Sequence, residues 1–190
     1  MILTGLAPDP RRPDYRLVEV DRGRFASLPI AALAELDLVV GGEISALAYE
    51  RLQELADLEA AHRAALRALA RRAHARLDLR RRLLQKQHPP HAVDGALERL
   101  SAAGLLDDLR YAFDYAASKA RRGRGPARLV RDLQAQGVDP HDAVRALAQK
   151  RAKQLAGLPP VVRKRRLVAF LARRGFNGGE IREVVESLKS

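Results

Sequence analysis

The chain has no cysteine and no tryptophan, a single methionine, and aromatic side chains at only 4% of its 190 positions. Without cysteine it forms neither disulfides nor thiolate metal sites, a usage that fits the cytoplasm. Apolar residues still make up 47% of the sequence, so the core must be aliphatic. Leucine and alanine against an arginine-rich background are the composition of a helical protein. No apolar run approaches the ~20 residues that span a bilayer, and the N-terminus lacks a secretory pattern, so no membrane partner is expected.

Catalytic groupings are also scarce. The best carboxylate pair, Asp107–Asp108, precedes a helical run and reads as a helix cap with a first-turn acid, with no nucleophile or base beside it. His88 and His91 flank two prolines, while His62, His74 and His141 are scattered. Zinc wants three or four ligands, and nothing completes that set. Neither a metal nor a cofactor is expected, and the chain does not read as an enzyme.

What is abundant is positive charge. The formal net charge is +12, and it is unevenly placed. Residues 1–57 hold 6 basic and 10 acidic side chains, whereas residues 58–190 hold 29 basic and 13 acidic. A field of that sign favours a polyanion or an acidic protein surface as partner.

The first 45 residues read as a small β-rich module. "ILTGL" and "YRLVEV" are short β-type runs, with Pro8, Pro10 and Pro13 predicting an irregular link between them. A tight turn at Asp21–Gly23 leads to a third strand, and Pro29 suits the first turn of a short helix through Leu36. From Ser45 the apolar period becomes helical, as one long helix or two consecutive ones.

Three later stretches share one layout. Leu83, Leu133 and Leu171 superimpose, as do Leu79, Leu129 and Leu167 one turn earlier. Gln87, Gly137 and Gly175 then align, followed by His88, Val138 and Phe176; further on, Val93 matches Ala143 and Ile181, and Leu97 matches Leu147 and Val185. This is a helix, a left-handed stop residue, an apolar residue folding back, and a second amphipathic helix. The second helices start at Pro89–Pro90, Asp139–Pro140 and Asn177. With anchors 50 and 38 residues apart, each interval has room for one more helix.

The expected fold is therefore mainly α, an elongated, curved array of tandem three-helix repeats with the β-rich module at its start. The boundaries read as 1–45 for the module and 46–106 for the first repeat with its long entry helix. The second repeat begins over 107–140 and continues to about 152, and the third spans 153–190.

"ARRGRGPARL", Ala120–Leu129, tests the phosphate-loop alternative. It lacks the third glycine of a dinucleotide fingerprint and the Gly-Lys-Ser/Thr ending of a P-loop, and no strand precedes it. It reads as a hinge, with Gly123 ending one helix and Gly125 capping the next. Its arginines Arg121, Arg122, Arg124, Arg128 and Arg131 surround a helix N-terminus, where anions are favoured. Related clusters are Arg71–Arg72 with Arg80–Arg82, and Arg163–Lys164–Arg165–Arg166 with Arg173–Arg174. A single such run is ordinarily a solvated face, but three at related positions point to anion binding.

Ala65–Lys86, Ala96–Pro140 and Arg165–Val185, with Gly104-Leu-Leu-Asp-Asp108, Tyr111-Ala112 and Tyr115 as the most specific pieces, resemble the RecX regulatory family. The resemblance implies a non-enzymatic modulator of the RecA recombinase. Such a protein is a helical-repeat monomer that lies in the groove of the RecA–DNA filament, restrains its ATPase, coprotease and strand-exchange activities, and touches single- or double-stranded DNA. The residues expected at that interface are Arg71, Arg72, Arg121, Arg122, Arg124, Arg128, Arg131, Arg165, Arg166, Arg173 and Arg174. The rival expectation is a helix-turn-helix-like DNA-binding protein acting independently of RecA. Two departures from the family pattern stand out: Gln87–His88 replaces the usual glycine and apolar residue, and Ala75 replaces a helix-capping serine.

Overall fold

A computed structural model of the protein describes residues 1–120, 126–173, 176 and 178–187. The hinge read at Gly123–Gly125, the stop residue Gly175 and the cap Asn177 lie outside the described residues. Three strands, β1 (Leu3–Asp9), β2 (Arg12–Val20) and β3 (Gly23–Pro29), form an antiparallel sheet in the order β1-β2-β3. Helices follow: α1 (Ile30–Leu33), α2 (Ala46–Arg71), α3 (Arg76–Gln85), α4 (Pro90–Ala102), α5 (Asp108–Ala120), α6 (Pro126–Ala135), α7 (Pro140–Gln154), α8 (Pro160–Ala172) and α9 (Gly178–Ser187). The fold is mainly α with a small N-terminal sheet. None of the helices searched among the described residues is long and apolar enough to cross a membrane.

The chain forms two compact units. The first comprises Met1–Ala70 with Arg80–Ala102, the second Arg71–Leu79 with Ala103–Ser190. In the first, Leu3, Val18, Leu28, Leu33, Ile44 and Leu52 make the core beneath the sheet. The irregular link expected between the first two strands is instead a tight hairpin at Pro10–Arg11, with Asp9 accepting the Arg11 N–H at 2.9 Å. The prolines fit because β1 is an edge strand and because Pro13 falls in a register irregularity, between Asp9↔Arg12 and Pro8↔Arg16, where the ladder is already interrupted. The second turn is as expected. Asp21 and Arg22 both take positive φ, 49° and 63°, as a two-residue hairpin requires.

A buried polar network joins this sheet to the helices of the same unit. Glu59 of α2 is only 1% exposed, yet its carboxylate meets Arg99 of α4 at 2.8 Å and Arg12 of β2 at 3.5 Å. Arg12 also lies 3.9 Å from the Tyr15 ring centroid and donates to the Ser27 hydroxyl, which in turn donates to Asp9. Those donors hold the Asp9 carboxyl below its usual range, the Ser27 hydroxyl contributing most. A carboxylate this buried is tolerable only when paired, so the network fixes how sheet and helices meet.

The repeat positions behave alike. Leu79, Leu129, Leu167, Leu83, Leu133, Leu171, Val93, Ala143, Ile181, Leu97, Leu147 and Val185 are all buried. The helix stops also match where described. At the end of α6, Val138 N–H donates to the Leu133 carbonyl and Gly137 N–H to that of Gln134; at the end of α3, His88 pairs with Leu83 and Gln87 with Leu84. Gln87 therefore adopts the left-handed conformation, φ 64°, that Gly137 takes at 84°. The departure from glycine leaves the geometry of this helix end unchanged.

The missing serine at Ala75 is compensated from a distance. Asp108, at the start of α5, accepts the Arg76 N–H at 2.7 Å and so caps α3 in the second unit, while Asp107 caps α5 itself by accepting from Arg110 N–H at 2.9 Å. Burial raises the Asp108 pKa above 3.8. A raised carboxyl pKa means that its stabilising contribution is full below the unfolded value and is lost as pH rises through the folded one. Asp108→Ala should cost about 1 kcal/mol of unfolding free energy. Asp108→Asn, which keeps an acceptor, should instead remove this decline across the acidic range, checked by urea midpoints measured as a function of pH.

Candidate polyanion-binding surface

Dividing the charge by unit sharpens what the linear sequence suggested. The first unit holds 13 basic and 13 acidic side chains, and the second 22 basic and 10 acidic, so the second carries the whole net charge of +12. Two arginines of the first unit are also occupied: Arg80 makes a two-pronged pair with Asp94 at 2.6 and 3.0 Å, and Arg99 is bound to Glu59.

Of the expected interface arginines, Arg121, Arg122, Arg124 and Arg174 lie outside the described residues. Arg72 is exposed but paired, donating to Asp78 at 3.2 Å beside the buried His74, which shares that carboxylate at 2.6 Å. Arg71, Arg128, Arg131, Arg165, Arg166 and Arg173 are all exposed. Among the described residues none of these six forms an ion pair; Arg173 donates only to the Ala169 carbonyl.

Local sequence explains the exposure. On α6, Leu129, Val130 and Leu133 turn inward and are buried, which leaves Arg128 and Arg131, three residues apart, on the outer face. On α8, Leu167 and Leu171 take the buried stripe, and Arg166 and Arg173 lie two turns apart on the same side. Helices α3, α5 and α7 each carry an aspartate in the first turn, Asp78, Asp108 and Asp142, but α6 and α8 carry none. An acid there would offset the positive end of the helix. Where arginines replace it, the uncompensated field suits an external anion.

The tyrosines do not form a base-stacking platform. Tyr111 is buried, its hydroxyl donating to Gln136, and Tyr115 packs against the same core and donates to Asp132 at 3.3 Å. No cluster of three or more potential metal ligands occurs among the described residues.

Sequence models of three consecutive RecX three-helix domains match this chain: the first over residues 61–100, the second over 107–147 and the third over 139–185. A regulatory protein RecX of Halorhodospira halophila is 40% identical over 137 residues, covering 65% of this chain and 85% of that protein. The chain belongs to the RecX family. A second RecX, from Ectopseudomonas mendocina, is 36% identical over 131 residues, 62% of this chain and 87% of its own. A crystal structure of a regulatory protein RecX superimposes with a TM-score of 0.58 over 98% of both chains at 17% identity, a likeness of fold. The RecX domain models leave residues 1–60, including the sheet, unmatched. Three cations of the third RecX domain, Lys153, Arg163 and Lys164, line a groove beside an apolar floor; the sequence marked Arg163 and Lys164 within a basic cluster but did not mark Lys153.

Proposed function

We propose that this RecX chain is a non-enzymatic, monomeric, cytoplasmic regulator that lies in the groove of a RecA–DNA filament and restrains its ATPase, coprotease and strand-exchange activities. The supporting observation is the confinement of the full +12 charge to the second unit, with Arg128, Arg131, Arg165, Arg166 and Arg173 exposed there. Arg121, Arg122, Arg124 and Arg174, outside the described residues, extend the same runs in sequence and belong to the proposal on that ground alone. Guanidinium groups bind phosphate oxygens and protein carboxylates alike, so one surface serves both components of a nucleoprotein filament. Repeated weak contacts along a filament gain by effective concentration.

The test is a titration of the full chain into RecA, single-stranded DNA and ATP. Hydrolysis should fall well before the chain reaches equimolarity with RecA, and the suppression should weaken as salt is raised. Unchanged hydrolysis at equimolar protein rejects the reading. Tight binding to bare DNA with a base-sequence preference would favour a helix-turn-helix reader instead.

A further inference from the structure

Between α7, α8 and α9 of the second unit runs a groove of about 550 Å³. Its floor is aliphatic, with Ala152, Leu167 and Val185, and Val161 stands at its edge with 80% of its surface exposed. Lys153, Arg163 and Lys164 line the same groove. Among the described residues neither Arg163 nor Lys164 has an ion-pair partner, while Lys153 lies 4.4 Å from the Phe113 ring centroid. The first turn of α8 adds no acid.

The combination discriminates between polyanions. A nucleic acid backbone presents phosphates but nothing aliphatic to cover the exposed Pro160 and Val161, and among the described residues no aromatic side chain lines the groove to stack on bases. An exposed apolar surface rimmed by charge is the pattern of a protein contact, with an anchor side chain in the centre and polar groups around it. We propose that this groove docks an acidic polypeptide segment, in which one or two aliphatic side chains sit against Pro160 and Val161 while flanking carboxylates meet Lys153, Arg163 and Lys164. This assignment goes beyond the recombinase reading and does not depend on it.

The probe is a short fluorescein-labelled peptide of glutamate and leucine, titrated into the full chain and followed by anisotropy. It should bind, and replacing its leucines by serine should weaken binding about tenfold or more. Val161→Asp and Lys164→Glu should each weaken it by a similar factor. Both positions are exposed, and an unchanged circular dichroism spectrum would confirm that the variants fold. Oligo(dT) should bind Val161→Asp as it binds the original chain. Absence of peptide binding, indifference to the leucines and to Val161→Asp, or displacement of the peptide by oligo(dT) at the same site would each overturn the assignment. None of these outcomes requires RecA, so its failure and that of the filament reading are read separately.

Discussion

Gly137→Ala should lower the stability of the second unit by about 3 kcal/mol, a shift on the order of 10–20 °C in Tm for a unit of this size. Two penalties combine. Gly137 has φ 84°, a left-handed conformation that costs an L-residue ~1–2 kcal/mol. A Cβ at this position would also lie 2.3 Å from both Cβ and Cδ2 of Leu77. Cβ of Leu77 is tied to the backbone of α3, so relief requires the helix itself to shift, and overpacking of this kind costs roughly 1–3 kcal/mol. The reciprocal change, Gln87→Gly, should gain about 0.5–1 kcal/mol, because it relieves the left-handed strain at a slightly greater chain-entropy cost. Thermal unfolding of the two variants measures both. A Gly137→Ala variant as stable as the original would refute the close approach of Leu77.

Reversing charge on the second unit should give the largest functional effect. The quadruple change Arg128→Glu, Arg131→Glu, Arg165→Glu and Arg166→Glu is expected to reduce affinity for single-stranded DNA or for the filament by about a hundredfold or more at moderate salt. Every phosphate that no longer meets an arginine should take about 0.7 off the slope of log K against log salt on single strands. Because these arginines are exposed and without ion-pair partners among the described residues, the fold should survive. Arg80→Ala is the control: its partner Asp94 and its place in the neutral first unit predict unaltered binding. A salt slope that does not change in the quadruple variant would show that these side chains are not the binding surface.

The repeat pattern was readable because it depends on local chemistry. Apolar residues at helical spacing became Leu79, Leu83 and their counterparts in the core, and the stop residues Gln87 and Gly137 took left-handed backbone as their hydrogen-bond register requires. The RecX family membership was likewise carried by short contiguous runs. What eluded the sequence were interactions between distant positions. Glu59 and Arg99 are 40 residues apart, and nothing in either neighbourhood marks Glu59 as buried rather than solvated. Asp108 reads correctly as a residue at a helix start, but its role as the cap of a different helix, 32 residues earlier, emerges only from tertiary packing. The charge division was obscured for the same reason. Arg80 looks like part of a basic run until its carboxylate partner is known.

The interleaving of the two units constrains how the protein can be dissected. The chain enters the second unit at Arg71, leaves it after Leu79 and re-enters at Ala103, so no single cut frees one from the other. A fragment beginning at Ala103 would lack His74, the amide of Arg76 that Asp108 caps, and the Leu77 side chain beneath Gly137. Truncations placed at the sequence repeats would thus yield a damaged half whose loss of binding says little about which arginines matter. A fragment intended to isolate the cationic half has to begin no later than Arg71, carrying the intervening helix as a passenger or bridging it with a linker.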